Sequence, residues 1–152
     1  MIRLPIPKPM QVALSMAELG RDAGEVPVGA VITRKQEIIA AAHNSPRELS
    51  DPTAHAEMMV IRVAASKLNR QRLDDCDLWV TLEPCPMCAG AISHARIGRL
   101  YYAAPDPKGG AVENGPRIFQ QSQCHHRPDV YSGMGESESA ELLRAFFAAR
   151  RH

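Results

Sequence analysis

Between Met10 and Leu19 apolar residues fall at positions 10, 14 and 17 and again at 12, 16 and 19, with Ser15 and Glu18 among them. That spacing predicts an amphipathic helix with Gly20 as its stop. The pattern then changes: "VPVGAVIT" and "EIIAAAH" are short apolar-rich runs separated by the polar "RKQ". They predict a hairpin, and the more continuously apolar first strand belongs inside a sheet. Helical spacing returns from Ala54 to Leu68, where Ala54, Met58, Ile61, Ala65 and Leu68 form one stripe and Arg62 and Lys67 face water. "DLWVTLE" (77–83) and "RLYYAA" (99–104) read as buried strands. Between them Pro86, tolerated in a first helical turn, opens a helix that runs to about Ala95. A strand–helix–strand succession calls for a parallel pair joined by a right-handed crossover. The prolines and glycines between Ala104 and Arg117 predict a loop, which either lies over a site or only connects. From Ser139 to Arg151, Leu142, Leu143, Phe146 and Phe147 again recur at helical spacing. Together these elements predict an α/β fold, a three-layer α/β/α sandwich with a mixed sheet.

At 152 residues the chain fits one domain, residues 1–152, with enough length for a real core. Its 18 basic and 17 acidic residues give a net charge of +1, so no field over the whole molecule advertises a nucleic-acid binder, and any contact with phosphates is local. The start, "MIRLPIPKPM", has prolines where a signal peptide needs an apolar core. No later run approaches the ~18 apolar residues of a membrane span. A cytoplasmic location without membrane association is therefore expected. Of the four cysteines, 76, 85, 88 and 124, the close pair Cys85 and Cys88 points to metal or redox chemistry and not to a disulfide framework.

"PCPMC" places Cys85 and Cys88 within one turn at the head of a helix, where both sulfurs can grip one zinc ion and where the helix end favours thiolates. A lone C-x-x-C also suits a thioredoxin-type redox pair or a coincidental buried pair. His55 supplies a third donor and leaves the fourth position of a single zinc ion for water, the composition of a catalytic site. Histidines 43, 94, 125, 126 and 152 offer a ligand that would close it. Cys124, His125 and His126 read either as a second metal cluster or as a polar loop.

In mid-helix His55 and Glu57 would point to nearly opposite sides. With Thr53 as the N-cap and His55 in the first turn, both converge at the helix mouth. A Thr53 capping box would want its acid at 56, which is Ala56. Glu57 is then either a solvated surface acid or, beside a metal ligand, the acid/base partner of the bound water. Two thiolates and a neutral imidazole cancel the charge of the dication, leaving a site that can hold hydroxide. Attack of that hydroxide on a ring carbon bearing an amino group, with Glu57 passing a proton to the neighbouring ring nitrogen, is hydrolytic deamination.

At these residues the chain resembles the zinc-dependent nucleobase deaminases, whose signature is H-x-E…P-C-x-x-C. Within that cytidine/deoxycytidylate deaminase superfamily it is most similar to the bacterial tRNA adenosine deaminases (TadA type). The blocks that carry the similarity are "EVPVGAV" (25–31), Asn44, "DPTAHAE" (51–57), "TLEPC" (81–85), "MCAGA" (87–91), "HARIG" (94–98) and the terminal "FF..RR" (146–151). The resemblance implies a cytidine-deaminase-like fold with five strands. It also implies conversion of adenosine to inosine at the wobble position of a tRNA anticodon, an arginine tRNA above all, by a homodimer. By motif position it places Asn44, Val28 and Ala56 at the flipped nucleotide, Asp106 and Lys108 in a loop approaching the RNA backbone, and Phe147, Arg150 and Arg151 beside the anticodon loop. The chain departs from the family at "APDPKGGA", where Pro105 replaces a basic residue and Pro107 stiffens the loop. A guanine or other free-base deaminase shares the metal motifs, and a non-catalytic zinc-supported RNA-binding subunit would share them without needing Glu57.

Overall fold

The computed structural model describes residues 5–150. Five strands, β1 (Gly29–Arg34), β2 (Glu37–His43), β3 (Cys76–Leu82), β4 (Arg99–Ala104) and β5 (Asp129–Ser132), form one sheet in the order β2-β1-β3-β4-β5. The pairings β1–β2 and β1–β3 are antiparallel, whereas β3–β4 and β4–β5 are parallel. The sheet is mixed, as the element order predicts, and the apolar hairpin strand β1 lies inside it. The helices are α1 (Lys8–Asp22), α2 (Pro46–Leu49), α3 (Ala56–Leu68), α4 (Pro86–Ala95) and α5 (Glu136–Ala149). Among the described residues no helix is long and apolar enough to cross a membrane.

Alternation along the strands divides the core into the two interfaces of a sandwich. Ala30 and Ile32 of β1, Leu78 and Val80 of β3, and Leu100 and Tyr102 of β4 face one side, where Val60 and Ala64 of α3 and Ala89 and Ile92 of α4 cover them. Val31, Trp79 and Ala103 face the other side against Met10, Ala13 and Leu14 of α1, with Leu142 of α5 beside them. This is the period-two consequence of the pleat: neighbours in sequence serve opposite layers. Contact between α1 and β1 is close enough to dictate a residue. A Cβ on Gly29 would stand 1.9 Å from the Ala13 carbonyl oxygen, so only glycine permits the helix to seat there.

Several expectations need correcting. Gly20 does not end α1; it is buried within the helix, with the His43 ring against it, and the missing side chain serves packing and not termination. In α3 the buried positions are Ala56, Glu57, Val60 and Ala64, a stripe rotated from the one predicted. Burial there follows two packed surfaces, the sheet and α4, while Met58, Ile61, Ala65 and Leu68 are only half-buried. Thr53 is not the cap of α3. Its backbone N–H and hydroxyl both donate to Asp51 Oδ1, and the N-cap is His55 itself, in extended backbone geometry. Periodicity missed α2, a short 3-10 turn at Ile118–Gln120, and β5, whose four residues are all exposed and carry no alternation.

The β1–β2 turn is two residues, Lys35 and Gln36, with Arg34 opposite Glu37. Both turn residues adopt left-handed backbone, φ 51° and 68°, a conformation that suits Asn-Gly and strains ordinary side chains. The double replacement Lys35→Asn with Gln36→Gly is expected to raise unfolding free energy by about 1 kcal/mol. Urea denaturation reads this directly; an unchanged or lower midpoint contradicts it.

Candidate active site

Two helix N-termini meet above the end of β3. Cys85 is the N-cap of α4, in extended geometry, and Cys88 lies buried in the first turn. His55 is the N-cap of α3 and Glu57 the second helical residue. Residues 55 and 57 therefore share a mouth because the first has not yet entered the helix. His55 Nδ1 lies 3.6 Å from Cys85 Sγ and 3.5 Å from Cys88 Sγ, and the three donor atoms are all within 4.8 Å of one another. Tetrahedral zinc with ordinary Zn–S and Zn–N lengths needs sulfur and nitrogen about 3.6 Å apart. The donor set thus fits a four-coordinate dication in both chemistry and spacing. It is the sole such cluster among the described residues. Cys124, His125 and His126 form no second one: Cys124 Sγ contacts Ser93 Oγ and the His126 carbonyl, while the His126 ring contacts the Ile97 carbonyl.

The electrostatics fit the same use. Hydrogen bonding from Cys88, with further help from His55, holds the Cys85 thiol down at about 4 against burial. Cys88, donating to Cys85 and buried, is pushed up and keeps its proton. The His55 imidazole is raised chiefly by its hydrogen bond to Cys85. A bound dication replaces the protons that these groups otherwise share. Glu57 is only 4% exposed, and burial raises its carboxyl to about 7, the range in which one group can both take and give a proton near neutrality.

The Asn44 side chain has a task within the fold, since its Oδ1 accepts the Ala56 N–H at 2.8 Å. This satisfies one of the orphan donors at the start of α3. Ala56 is buried there. Val28 is 5% exposed and belongs to the core beneath. Asp106 shapes its loop, Oδ1 accepting the N–H groups of Lys108 and Gly109. Lys108, Phe147 and Arg150 line a groove of about 830 Å³ along α5, with Val26, Pro105 and Leu143 also in its wall. A smaller hollow of about 320 Å³ shares Val26, Phe147 and Arg150 and extends to Asn44. The candidate donors and Glu57 are absent from both linings; the smaller hollow, not the groove, adjoins the centre, through Asn44 and its bond to Ala56. Arg151 lies outside the described residues.

The sequence reading missed two buried carboxylates. Glu83, 2% exposed, accepts the backbone N–H groups of Asp106, Val112, Glu113 and Asn114 and the side-chain amide of Asn114. Burial pushes its carboxyl up, but the Asp106 amide, the Asn114 side chain and the other amides outweigh it, leaving the pKa below the ordinary value. Gly110 is required beside it, because a Cβ there would stand 2.4 Å from Glu83 Cδ. Glu25 accepts the Arg47 and Glu48 amides at the start of α2. Each acid abuts an apolar run, "TLEPC" and "EVPVGAV", and an acid in that position was the signal available.

Residues 6–104 match the family described as the cytidine and deoxycytidylate deaminase zinc-binding region. The chain is 58% identical over 142 residues to the tRNA-specific adenosine deaminase of Agrobacterium fabrum, covering 93% of each. A solved chain from biochemical and structural studies of A-to-I editing by tRNA:A34 deaminases at the wobble position of transfer RNA has a TM-score of 0.88 and 58% identity, over 89% of this chain and 98% of that one. Guanine deaminase from Bacillus subtilis aligns at a TM-score of 0.61 and 32% identity, over 95% and 92%.

Two outcomes are expected. Zinc added to the metal-free protein in weak buffer should release protons and bind more tightly at about pH 8 than at about pH 6, since protons compete for the same sulfurs and imidazole. Affinity that is flat across that range would remove these residues as ligands. Glu83→Gln should cost about 2 kcal/mol in urea unfolding and speed amide exchange at Val112–Asn114. The charged carboxylate contributes above the ordinary carboxylate pKa, and its share is lost as pH falls through the depressed folded value, so the gap between wild type and variant should narrow in acid.

Proposed function

The chain belongs to the zinc-binding cytidine and deoxycytidylate deaminase family, and from that membership we propose that it converts adenosine to inosine at the wobble position of a tRNA anticodon. The observation that carries the chemistry is the convergence of His55, Cys85 and Cys88 with a buried Glu57 beside them. The substrate follows from the relatives, whose name and subject are tRNA adenosine deamination. The net reaction adds water across the C6–amino bond of adenine, forming the C6 carbonyl of inosine and releasing ammonia.

His55, Cys85 and Cys88 would hold one zinc ion per chain. It would supply a Lewis acid that lets water act as a nucleophile near neutral pH. Glu57 holds a proton on its carboxyl oxygen, delivers it to the adjacent ring nitrogen of the purine and later serves the departing amino group. Its burial matters because a solvated carboxylate would be too weak a base at neutral pH. Ala56 and Asn44 fix the mouth of α3, and Val28 supports the floor. Asn44 Nδ2 is the group left to meet a base, since its Oδ1 is committed to Ala56.

The metal centre does not distinguish adenosine in RNA from a free purine. The groove favours RNA, because its volume of about 830 Å³ exceeds that of one base, Lys108, Arg150 and the exposed Phe147 ring line it, and that ring offers a face on which a second base can stack. Asp106 orders the loop that presents Lys108, and Arg151 continues the basic end of the chain. The arginine tRNA substrate and the homodimer rest on the resemblance of the motifs, and the cytoplasmic location on the expectation drawn from the sequence.

Glu57→Ala is expected to retain zinc while lowering inosine formation on an anticodon hairpin by roughly 10²–10⁴-fold. Metal analysis beside a chromatographic inosine assay checks both halves. Turnover that persists near the wild-type rate removes Glu57 from the mechanism, and turnover of guanine with none of the hairpin replaces the substrate.

A further inference from the structure

Arg47, from α2, and Arg150, at the end of α5, converge on one backbone oxygen. Arg47 Nη1 and Arg150 Nη2 each donate to the Gly24 carbonyl at 3.1 Å. Their sequence separation is large, so the fold brings them together. Two guanidinium groups that share one acceptor repel each other, and among the described residues neither lies within salt-bridge distance of a carboxylate. Glu25, which lines the same hollow, has its carboxylate committed to the amides of Arg47 and Glu48. Arg150 is also steadied by the Phe146 ring, 4.2 Å below its guanidinium carbon, a contact that restricts it before any ligand arrives. Each guanidinium uses one N–H on Gly24 and has further donors in its planar fork.

Both arginines line the hollow that also contains Asn44 and Phe147. A pre-positioned pair of cations at the rim of a cavity next to an exposed aromatic ring matches the two recognisable parts of a nucleotide: an anionic phosphate and a base with a flat face. The geometry points to a seat for one phosphodiester of the RNA strand, formed jointly by Arg47 and Arg150. This inference rests on the reading of the substrate as RNA, and deepens it by assigning Arg47, which no motif singled out, and by making the two arginines a single unit. A phosphate bound between them relieves their mutual repulsion, and the Gly24 carbonyl sets their spacing.

The test uses the zinc-loaded protein and an anticodon hairpin with inosine, the product base, at the reactive position, so that equilibrium binding is read without turnover. Arg47→Gln and Arg150→Gln should each weaken binding by roughly five- to twentyfold at moderate salt and reduce the steepness of the salt dependence by about 0.7, the share of one single-strand phosphate. Because they hold the same group, the double variant should lose less than the product of the two single effects. Replacing loop phosphodiesters one at a time with uncharged methylphosphonates should reveal one linkage that weakens wild-type binding and leaves the double variant unchanged. Arg47→Lys and Arg150→Lys retain the charge, so they should recover the salt slope and only part of the affinity; this separates ligand binding from loss of the Gly24 contact. Variants with wild-type affinity and slope, in a protein that deaminates the adenosine hairpin, overturn the seat alone. A wild-type protein that neither binds nor deaminates the hairpin overturns the RNA reading along with it.

Discussion

The structure depends on two helix starts being aimed at one point. The first-turn amides of α3 and α4 concentrate positive potential where they meet, and that potential favours thiolate on Cys85 and any anion formed nearby. Such a mouth is unfavourable if empty of partners, because unsatisfied amide groups and like-signed helix ends face each other. Side chains resolve it locally: Asn44 accepts the Ala56 amide, and both N-cap positions are given to members of the candidate metal cluster, His55 and Cys85. The sheet enforces the geometry. α4 leaves β3 after only Glu83, Pro84 and Cys85, and α3 packs on the same face of the sheet against α4 through a shared core.

That arrangement leaves long connections, and the molecule secures them with buried charge. Glu83 gathers four backbone amides and one side-chain amide from the loop beyond β4; Glu25 does a smaller version of the task for α2. A carboxylate surrounded by N–H donors is held more firmly than a neutral acceptor would be, and removing it strands several buried donors at once. The departure of this chain at Pro105 and Pro107 is compatible with that scaffold. Among the amides that Glu83 accepts, none belongs to either proline, and a stiffer loop loses less entropy on being ordered.

Local rules made the skeleton legible and left the convergences hidden. Strands β1 to β4 and helices α1, α3 and α5 follow from apolar spacing, α4 follows from the proline that opens it, and the donor set follows from residue types whose chemistry is narrow. The cap of α3 was misplaced because Thr53 is a better cap by type than His55, yet Asp51 engages Thr53 first and the helix starts two residues later. β5 was invisible because an exposed edge strand needs no apolar alternation; its identity comes from hydrogen bonding to β4. The buried stripe of α3 turned out rotated since periodicity gives a face but not the number of neighbours covering it. Asn44 could be assigned to substrate from a motif, but its bond to Ala56 is a tertiary fact.

The small net charge conceals an asymmetry that bears on what can approach. At the start of β3, far along the strand from Cys85, charges are paired: Arg34 and Arg70 with Asp75, Arg70 with Asp74, and Arg99 with Asp77. Hydrogen bonding from Arg34, joined by Arg70, draws the Asp75 carboxyl down to about 2 despite some burial. Exposed pairs of this kind add little stability, but they cancel field at that end. Around the groove and hollow Lys108, Arg47 and Arg150 form no such pairs among the described residues, and the carboxylates of Glu25, Glu83 and Asp106 are engaged with backbone amides. Because field from exposed charges is screened beyond about 8 Å at physiological salt, a polyanion is sensitive to this local imbalance and not to the total. A chain of net charge +1 can therefore present a cationic rim to a nucleic acid at the one place where its chemistry needs it.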